Sequence, residues 1–251
     1  MIFFISLQEL RLSELEHNVC DTINYEKIFQ VQDGHFLSMI EVLHLKDIYR
    51  MKGPIQVASP QYLRELNVSK CNRLKSLFSY MLARNLPQLK FLHIELCEEL
   101  EEIIRIDQTS IASSSQGYLQ SISFPSLQSI WIHGCNNLKS LFPISVARSL
   151  SNLNKIKIQG ASKLKQVFGY EGELNVEDEE KGIVFPKFED LELLELPSLT
   201  SFAPMGYNFQ FPSLVNLEVR RCPYLIRRFS KDSRGIMHAI TEVTNKLFLC
   251  L

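Results

Sequence analysis

The chain has 251 residues, of which 45% are hydrophobic and 22% charged, and its formal net charge is −1. This balance is typical of a water-soluble protein with enough apolar material for a core. It argues against a nucleic-acid partner, which needs clustered Lys and Arg, and against binding to an anionic membrane. The apolar residues 1–5 are too few for a signal peptide or a membrane span, so we expect a cytoplasmic protein with reduced cysteines.

One pattern, Leu-x-x-Leu-x-Leu with other apolar residues allowed at each Leu, recurs along the chain. Its copies begin at residues 7, 40, 63, 89, 127, 153, 188 and 214. Apolar residues two apart face the same side of a β-strand, and a single unit cannot bury that side alone. Neighbouring units must therefore stack. We predict an α/β leucine-rich-repeat solenoid, a curved horseshoe with a parallel sheet on its concave face and irregular loops and short helices on its convex face.

The repeats predict one solenoid of about eight units over residues 1–235, followed by a C-terminal tail at 236–251. Segments 80–86 and 145–150 follow the strands of their repeats, and each contains an Ala-Arg pair. We expect a helix of one or two turns at each of them, on the convex side.

Two insertions lengthen the spacing between repeats. The first, at 109–117, is rich in Ser, and the second, at 171–182, is rich in Glu. The Ser-rich insertion is expected to be a flexible loop. Low hydrophobicity and self-repulsion predict that the acidic insertion is a solvated loop. Docking of a basic partner on the acidic insertion is a second interpretation.

Four cysteines, Cys71, Cys97, Cys135 and Cys222, occupy the same position of four different repeats. Their spacings of 26, 38 and 87 residues differ from the close Cys pairs of zinc sites. A cysteine at such a position is expected to be a small buried side chain whose thiol donates weakly to a backbone carbonyl. We therefore predict no metal site.

Two His-Cys combinations, His93 with Cys97 and His133 with Cys135, would suit a base and a nucleophile. The repeat pattern argues against both, because it places the histidines on the solvent side of a strand and the cysteines in the turn that enters the core. No pair of carboxylates is predicted in a closed, dry site either. We expect no catalytic residue and no cofactor.

Residues before, between and after the two core positions of each strand are predicted to point away from the core. From the second repeat onward they are Val42, His44 and Lys46; Glu65, Asn67 and Ser69; Phe91, His93 and Glu95; Ser129, Trp131 and His133; Lys155, Lys157 and Gln159; Asp190, Glu192 and Leu194; Asn216, Glu218 and Arg220.

Exposed aromatic residues at the centre of a concave sheet are typical of binding hot spots, and a rim carrying charges of both signs suits a protein partner. The predicted protein-binding residues are Phe91, His93, Trp131, His133, Lys155, Lys157, Asp190 and Glu192. A second interpretation is that Trp131 packs against its neighbours or the Ser-rich insertion without any ligand.

The repeat unit, Leu-x-x-Leu-x-Leu-x-x-Cys-x-x-Leu-x-x-Leu-Phe from residue 63, resembles those of plant intracellular disease-resistance receptors. Phe-Pro-Ser-Leu at 124–127 and at 211–214 resembles their strand entries. The likeness covers roughly residues 36–229 and is closest to the coiled-coil, nucleotide-binding, leucine-rich-repeat class. It implies recognition of a pathogen effector or a guarded host protein, and contact with a nucleotide-binding switch domain.

The sequence departs from that class because it contains no Gly-x-x-x-x-Gly-Lys-Ser/Thr phosphate loop. We therefore expect a fragment or a truncated relative that keeps the sensor, and the resemblance implies no ATP or ADP binding here. The alternative function is a leucine-rich-repeat substrate adaptor of a ubiquitin ligase of the F-box type. The long insertions and the Phe-Pro entries favour the immune family.

Overall fold

The computed structural model describes residues 8–13, 40–55, 60–105, 122–169, 182–225 and 229–240. The strands in chain order are β1 Glu9–Ser13, β2 Val42–Lys46, β3 Glu65–Ser69, β4 Ser76–Ser79, β5 Phe91–Glu95, β6 Glu102–Arg105, β7 Ser129–His133, β8 Phe142–Pro143, β9 Lys155–Gln159, β10 Phe168–Gly169, β11 Gly182–Val184, β12 Asp190–Leu194, β13 Asn208–Phe211, β14 Asn216–Arg220, β15 Phe229–Lys231 and β16 Met237–Ile240. The helices are a 3₁₀ turn at Pro60–Tyr62, α1 at Tyr80–Ala83 and α2 at Ile144–Ala147.

One strand from each predicted repeat joins a single parallel sheet of eight strands, in the order β1-β2-β3-β5-β7-β9-β12-β14. The pairing is in register, so that Leu66 on β3 lies opposite Leu92 on β5, which lies opposite Ile130 on β7. These three side chains are at most 1% exposed. The predicted leucine-rich-repeat solenoid is thereby confirmed.

A residue with a left-handed backbone follows each strand of this sheet from β2 to β14. These residues are Asp47, Lys70, Leu96, Gly134, Gly160, Glu195 and Arg221, with φ between 52° and 67°. In this conformation the N–H of Leu96 donates to the carbonyl of His133, the last residue of the next strand, at 2.8 Å. The turn therefore directs the chain towards the core and extends the hydrogen bonding of the sheet by one residue.

The other side of the repeats carries the helices and three smaller sheets. In these sheets β4 pairs with β6 and β8 with β10, both in parallel, and four strands follow the order β11-β13-β16-β15. Both predicted helices are present as single turns of four residues, and each ends at an Ala. Their next residues form tight turns, in which the N–H of Asn85 donates to the carbonyl of Leu82 at 2.8 Å.

Phenylalanine rings fill the core of the C-terminal repeats. Phe209 is fully buried and contacts Phe168, Phe185 and Phe202 with ring centroids 5.0–5.4 Å apart. Strand β16, within the predicted tail, pairs antiparallel with β13 and so extends this side of the solenoid. Burial of several large rings stabilises the stack of repeats.

The Ser-rich insertion at 109–117 lies outside the described residues, as do residues 171–181 of the acidic insertion, whereas Gly182 begins β11. No described helix has the length and apolar character needed to cross a membrane.

Candidate functional site

The solvent-facing side of the eight-stranded sheet, called the open face below, consists of three rows of side chains. The in-register pairing aligns the first, third and fifth residue of every strand. The middle row is Arg11, His44, Asn67, His93, Trp131, Lys157, Glu192 and Glu218. All eight residues predicted to bind a protein lie in this row or in one of the two beside it. The position of each residue within its repeat was therefore enough to predict that all eight lie on the same face of the sheet.

An aromatic cluster occupies the centre of the open face on β5 and β7. His93 and Trp131 lie directly opposite each other, with ring centroids 3.6 Å apart and an interplanar angle of 57°. The ring of His133 is nearly parallel to that of Trp131, with centroids 6.3 Å apart. Phe91 begins the same strand as His93 and is 42% exposed. The cluster thus combines one accessible ring with others that are partly covered by each other.

Two ring nitrogens of the aromatic cluster, His93 Nε2 and Trp131 Nε1, are buried and have no hydrogen-bond partner among the described residues. Burial also lowers the pKa of His93 below its ordinary value, because the surroundings of the ring disfavour the charged form. Unpaired polar atoms cost free energy when they are withdrawn from water. The packing of Trp131 on His93 is therefore less stable than packing between fully apolar residues would be.

An ion-pair network covers the open face on β9 and β12. The Lys155 ammonium contacts carboxylates of both Asp190 and Glu192, the latter at 2.9 Å, and Lys157 Nζ lies 2.7 Å from Glu192 Oε2. The hydrogen bond from Lys157 lowers the pKa of Glu192, and the bond to Asp190 raises the pKa of Lys155. The charged residues predicted from the sequence are thus brought together, and they neutralise each other.

Two further carboxylates flank the aromatic cluster. Glu65 on β3 lies opposite Phe91, and its Oε1 accepts a hydrogen bond from Asn67 Nδ2 at 2.7 Å. Glu95 lies opposite His133, whose Nδ1 is 3.5 Å from Glu95 Oε1. The sequence placed both glutamates on the open face but did not assign them to the binding surface. Their register positions opposite Phe91 and His133 could have identified them as part of the predicted binding surface.

One predicted outward residue, Leu194, behaves differently from its neighbours. It belongs to the row that contains Gln159 and Arg220, yet it is only 6% exposed. The prediction that Leu194 points outward is therefore wrong, since an apolar side chain at this position is buried.

The four cysteines of the repeats are buried and not disulfide-bonded. Cys97 Sγ is 3.5 Å from the Glu95 carbonyl, and Cys222 Sγ is 3.3 Å from the Leu193 carbonyl. The adjacent Cys135 thiol and burial raise the pKa of Cys97 to about 12, which keeps the thiol protonated. In the described ranges no group of three or more His, Cys, Asp and Glu side chains is arranged to hold a metal ion.

In each of the two His-Cys combinations, the histidine and the cysteine side chains lie on opposite sides of the sheet. The His93 side chain is on the open face and Cys97 is in the core, and the Cys135 thiol reaches His133 at its backbone carbonyl, at 3.6 Å. A base must reach the proton of its nucleophile through a hydrogen bond. Neither combination meets that requirement in this geometry.

The family model for leucine-rich repeats of plant disease-resistance proteins of the RPS2-like type matches residues 2–98 and 99–240. No curated protein and no solved structure matches the chain. Repeats of this kind are generally non-catalytic modules that bind proteins. The chain belongs to the RPS2-like leucine-rich-repeat family of plant disease-resistance proteins.

Proposed function

We propose that this chain is a non-catalytic recognition module of plant innate immunity that binds a pathogen effector or a guarded host protein through its open face. The contact surface comprises the aromatic cluster and the ion-pair network beside it. The family match supports the immune role and gives no support to the alternative of a ubiquitin-ligase adaptor.

The observation that carries the proposal is the aromatic cluster itself. Trp131 packs on His93 with two buried nitrogens unpaired, next to Phe91, which is 42% exposed. A partner that covers Phe91 buries apolar area, and the rest of the aromatic cluster is already partly withdrawn from water. Partly desolvated aromatic residues at the centre of a surface, with polar groups around them, are typical of binding hot spots.

We also propose that the chain acts in the cytoplasm as part of a nucleotide-binding receptor, whose switch domain is a second partner. Receptors of the class that the sequence resembles combine both contacts in one repeat region. Under this proposal the chain senses the partner, and the switch domain responds to binding.

The experiment compares capture of partners from plant extract by the wild-type chain and by the double variant Trp131→Ala/Lys157→Ala, with quantitative mass spectrometry. Proteins that bind the open face should be lost from the double variant by about tenfold or more, as expected when a hot-spot residue is removed. Met81→Ala is the matched control, because Met81 is a large side chain on α1 that is 62% exposed. Unchanged capture by a folded double variant contradicts the proposed surface.

A further inference from the structure

The open face carries more carboxylates than lysines, and only some of the carboxylates are paired with a lysine. Between β3 and β12 the open face carries four carboxylates, Glu65, Glu95, Asp190 and Glu192, against the two ammonium groups of Lys155 and Lys157. Both lysines are engaged by Asp190 and Glu192. The charge that remains is therefore negative, and it lies on Glu65 and Glu95.

In the ranges that the structure describes, Glu65 and Glu95 differ from Asp190 and Glu192 because no lysine or arginine pairs with them. Within the described part of the chain, neither forms an ion pair with a lysine or an arginine. Glu65 is held by the neutral amide of Asn67, and Glu95 by the ring of His133 at 3.5 Å. Each carboxylate thus retains oxygen lone pairs for a further donor.

Both glutamates border the aromatic cluster rather than standing apart from it. The in-register pairing sets Glu65 beside Phe91, and Glu95 one position along the face from His93. Ser129 lies opposite Phe91 in the first row and two residues before Trp131 on β7. Each glutamate is therefore an immediate neighbour of a ring of the aromatic cluster, Glu65 of Phe91 and Glu95 of His133.

Resting on the proposed function, we infer that the open face receives arginine side chains of the partner protein, which lie against the aromatic cluster, one with Glu65 and another with Glu95 as its counter-charge. A guanidinium stacks on aromatic rings and donates paired hydrogen bonds to carboxylates at the same time. A lysine ammonium has no flat face to stack and forms no paired bonds of this kind. The partner class is therefore a protein with exposed arginines on a basic surface.

The test uses octapeptides in which glycine alternates with arginine, with lysine or with glutamate. Trp131 is the single tryptophan of the chain, so its fluorescence reports occupation of the cluster directly. The arginine peptide should change this fluorescence and bind about tenfold more tightly than the lysine peptide, and the glutamate peptide should not bind. In the double variant Glu65→Gln/Glu95→Gln, arginine-peptide binding should weaken by about tenfold or more.

Glu98→Gln/Glu99→Gln is the matched control, because it removes the same charge from exposed positions in the turn after β5. It should leave arginine-peptide binding close to the wild-type value. Equal weakening in both double variants, equal binding of the arginine and glutamate peptides, or unchanged fluorescence up to about 1 mM arginine peptide overturns the inference. Partner capture that depends on Trp131 but not on Glu65 and Glu95 overturns it as well, while the proposed function stands. Capture that is independent of Trp131 overturns the proposed function instead.

Discussion

The surroundings of His93 influence its charge in opposite directions. Burial beneath Trp131 disfavours the imidazolium, whereas Glu95 on the same strand and Glu65 on β3 favour it. Burial is the larger effect, and the nearby His133 adds to it, so the pKa of His93 lies below its ordinary value. The ring is therefore neutral at pH 7, which suits close packing against an indole without a counter-charge.

This depressed pKa predicts a pH dependence of stability. The unfolded chain binds a proton at His93 at a pH of about 6.5, whereas the folded chain resists it to lower pH. The free energy of unfolding should therefore be unaffected by His93 above that value and should fall as the pH drops through the folded-state pKa. Urea midpoints measured at pH 7 and pH 5 should differ more for the wild type than for His93→Leu, which cannot titrate. An equal pH dependence in the two proteins contradicts the burial of His93.

At the scale of the element, the turn that follows each strand of the parallel sheet is the most regular feature of the fold. Gly134 and Gly160 fill it after β7 and β9, with φ of 67° and 64°. Asp47, Leu96 and Glu195 adopt the same conformation despite their side chains. Such residues are strained in this region of φ, so the hydrogen bond to the next strand must offset that cost.

The two glycines make a matched pair for a stability prediction. Substitution by Ala costs each turn about 1–2 kcal/mol of backbone strain. A Cβ on Gly134 would also lie 2.6 Å from Leu96 Cδ2, whereas one on Gly160 would have nothing nearer than 3.6 Å. Gly134→Ala should therefore destabilise the protein by about 1 kcal/mol more than Gly160→Ala, because Leu96 must leave its rotamer.

Urea unfolding of both variants measures this difference, provided that the denaturant slopes agree. The additional variant Leu96→Ala/Gly134→Ala serves as the control. Relative to Leu96→Ala alone, the Gly134 substitution should cost only as much as Gly160→Ala does. A cost for Gly134→Ala that equals or falls below that of Gly160→Ala contradicts the account of the turn.

The sequence predicted the strands of the parallel sheet but not the short strands on the other side of the repeats. The spacing of Leu66 and Val68, and of their equivalents, predicted every strand of the parallel sheet, because alternating burial leaves a clear pattern. The short strands on the other side, such as Phe168–Gly169, have no such alternation: both residues are buried. Their pairing depends on the lengths of the loops between repeats, which the pattern does not encode.

At the scale of the whole molecule, each repeat contacts mainly its neighbours, and the open face is assembled rung by rung. Residues at equivalent positions of successive repeats become neighbours in the sheet. The sequence could therefore predict that Lys155 lies next to Asp190 and Trp131 next to His93. It could not predict that Trp131 Nε1 is left unpaired or that Leu194 is shielded. Those outcomes depend on side-chain rotamers and on the size of the side chains across the strand.

A repeat array also localises the effect of substitutions on its surface. The ion-pair network on β9 and β12 is partly exposed, and its lysines and carboxylates pair with one another. Its loss should therefore affect stability only modestly. The aromatic cluster on β5 and β7 is set apart by its unpaired nitrogens and its exposed Phe91. Recognition by the whole solenoid should therefore depend most strongly on these two rungs.

The most direct test of this central claim is fluorine NMR of the chain labelled with 5-fluorotryptophan, titrated with a protein captured in the extract experiment. The label gives one resonance, because Trp131 is the single tryptophan, and a tryptophan of the partner remains invisible. Binding on the open face should shift or broaden this resonance in proportion to the bound fraction. A partner that saturates the chain and leaves the Trp131 resonance unchanged would contradict recognition through the aromatic cluster.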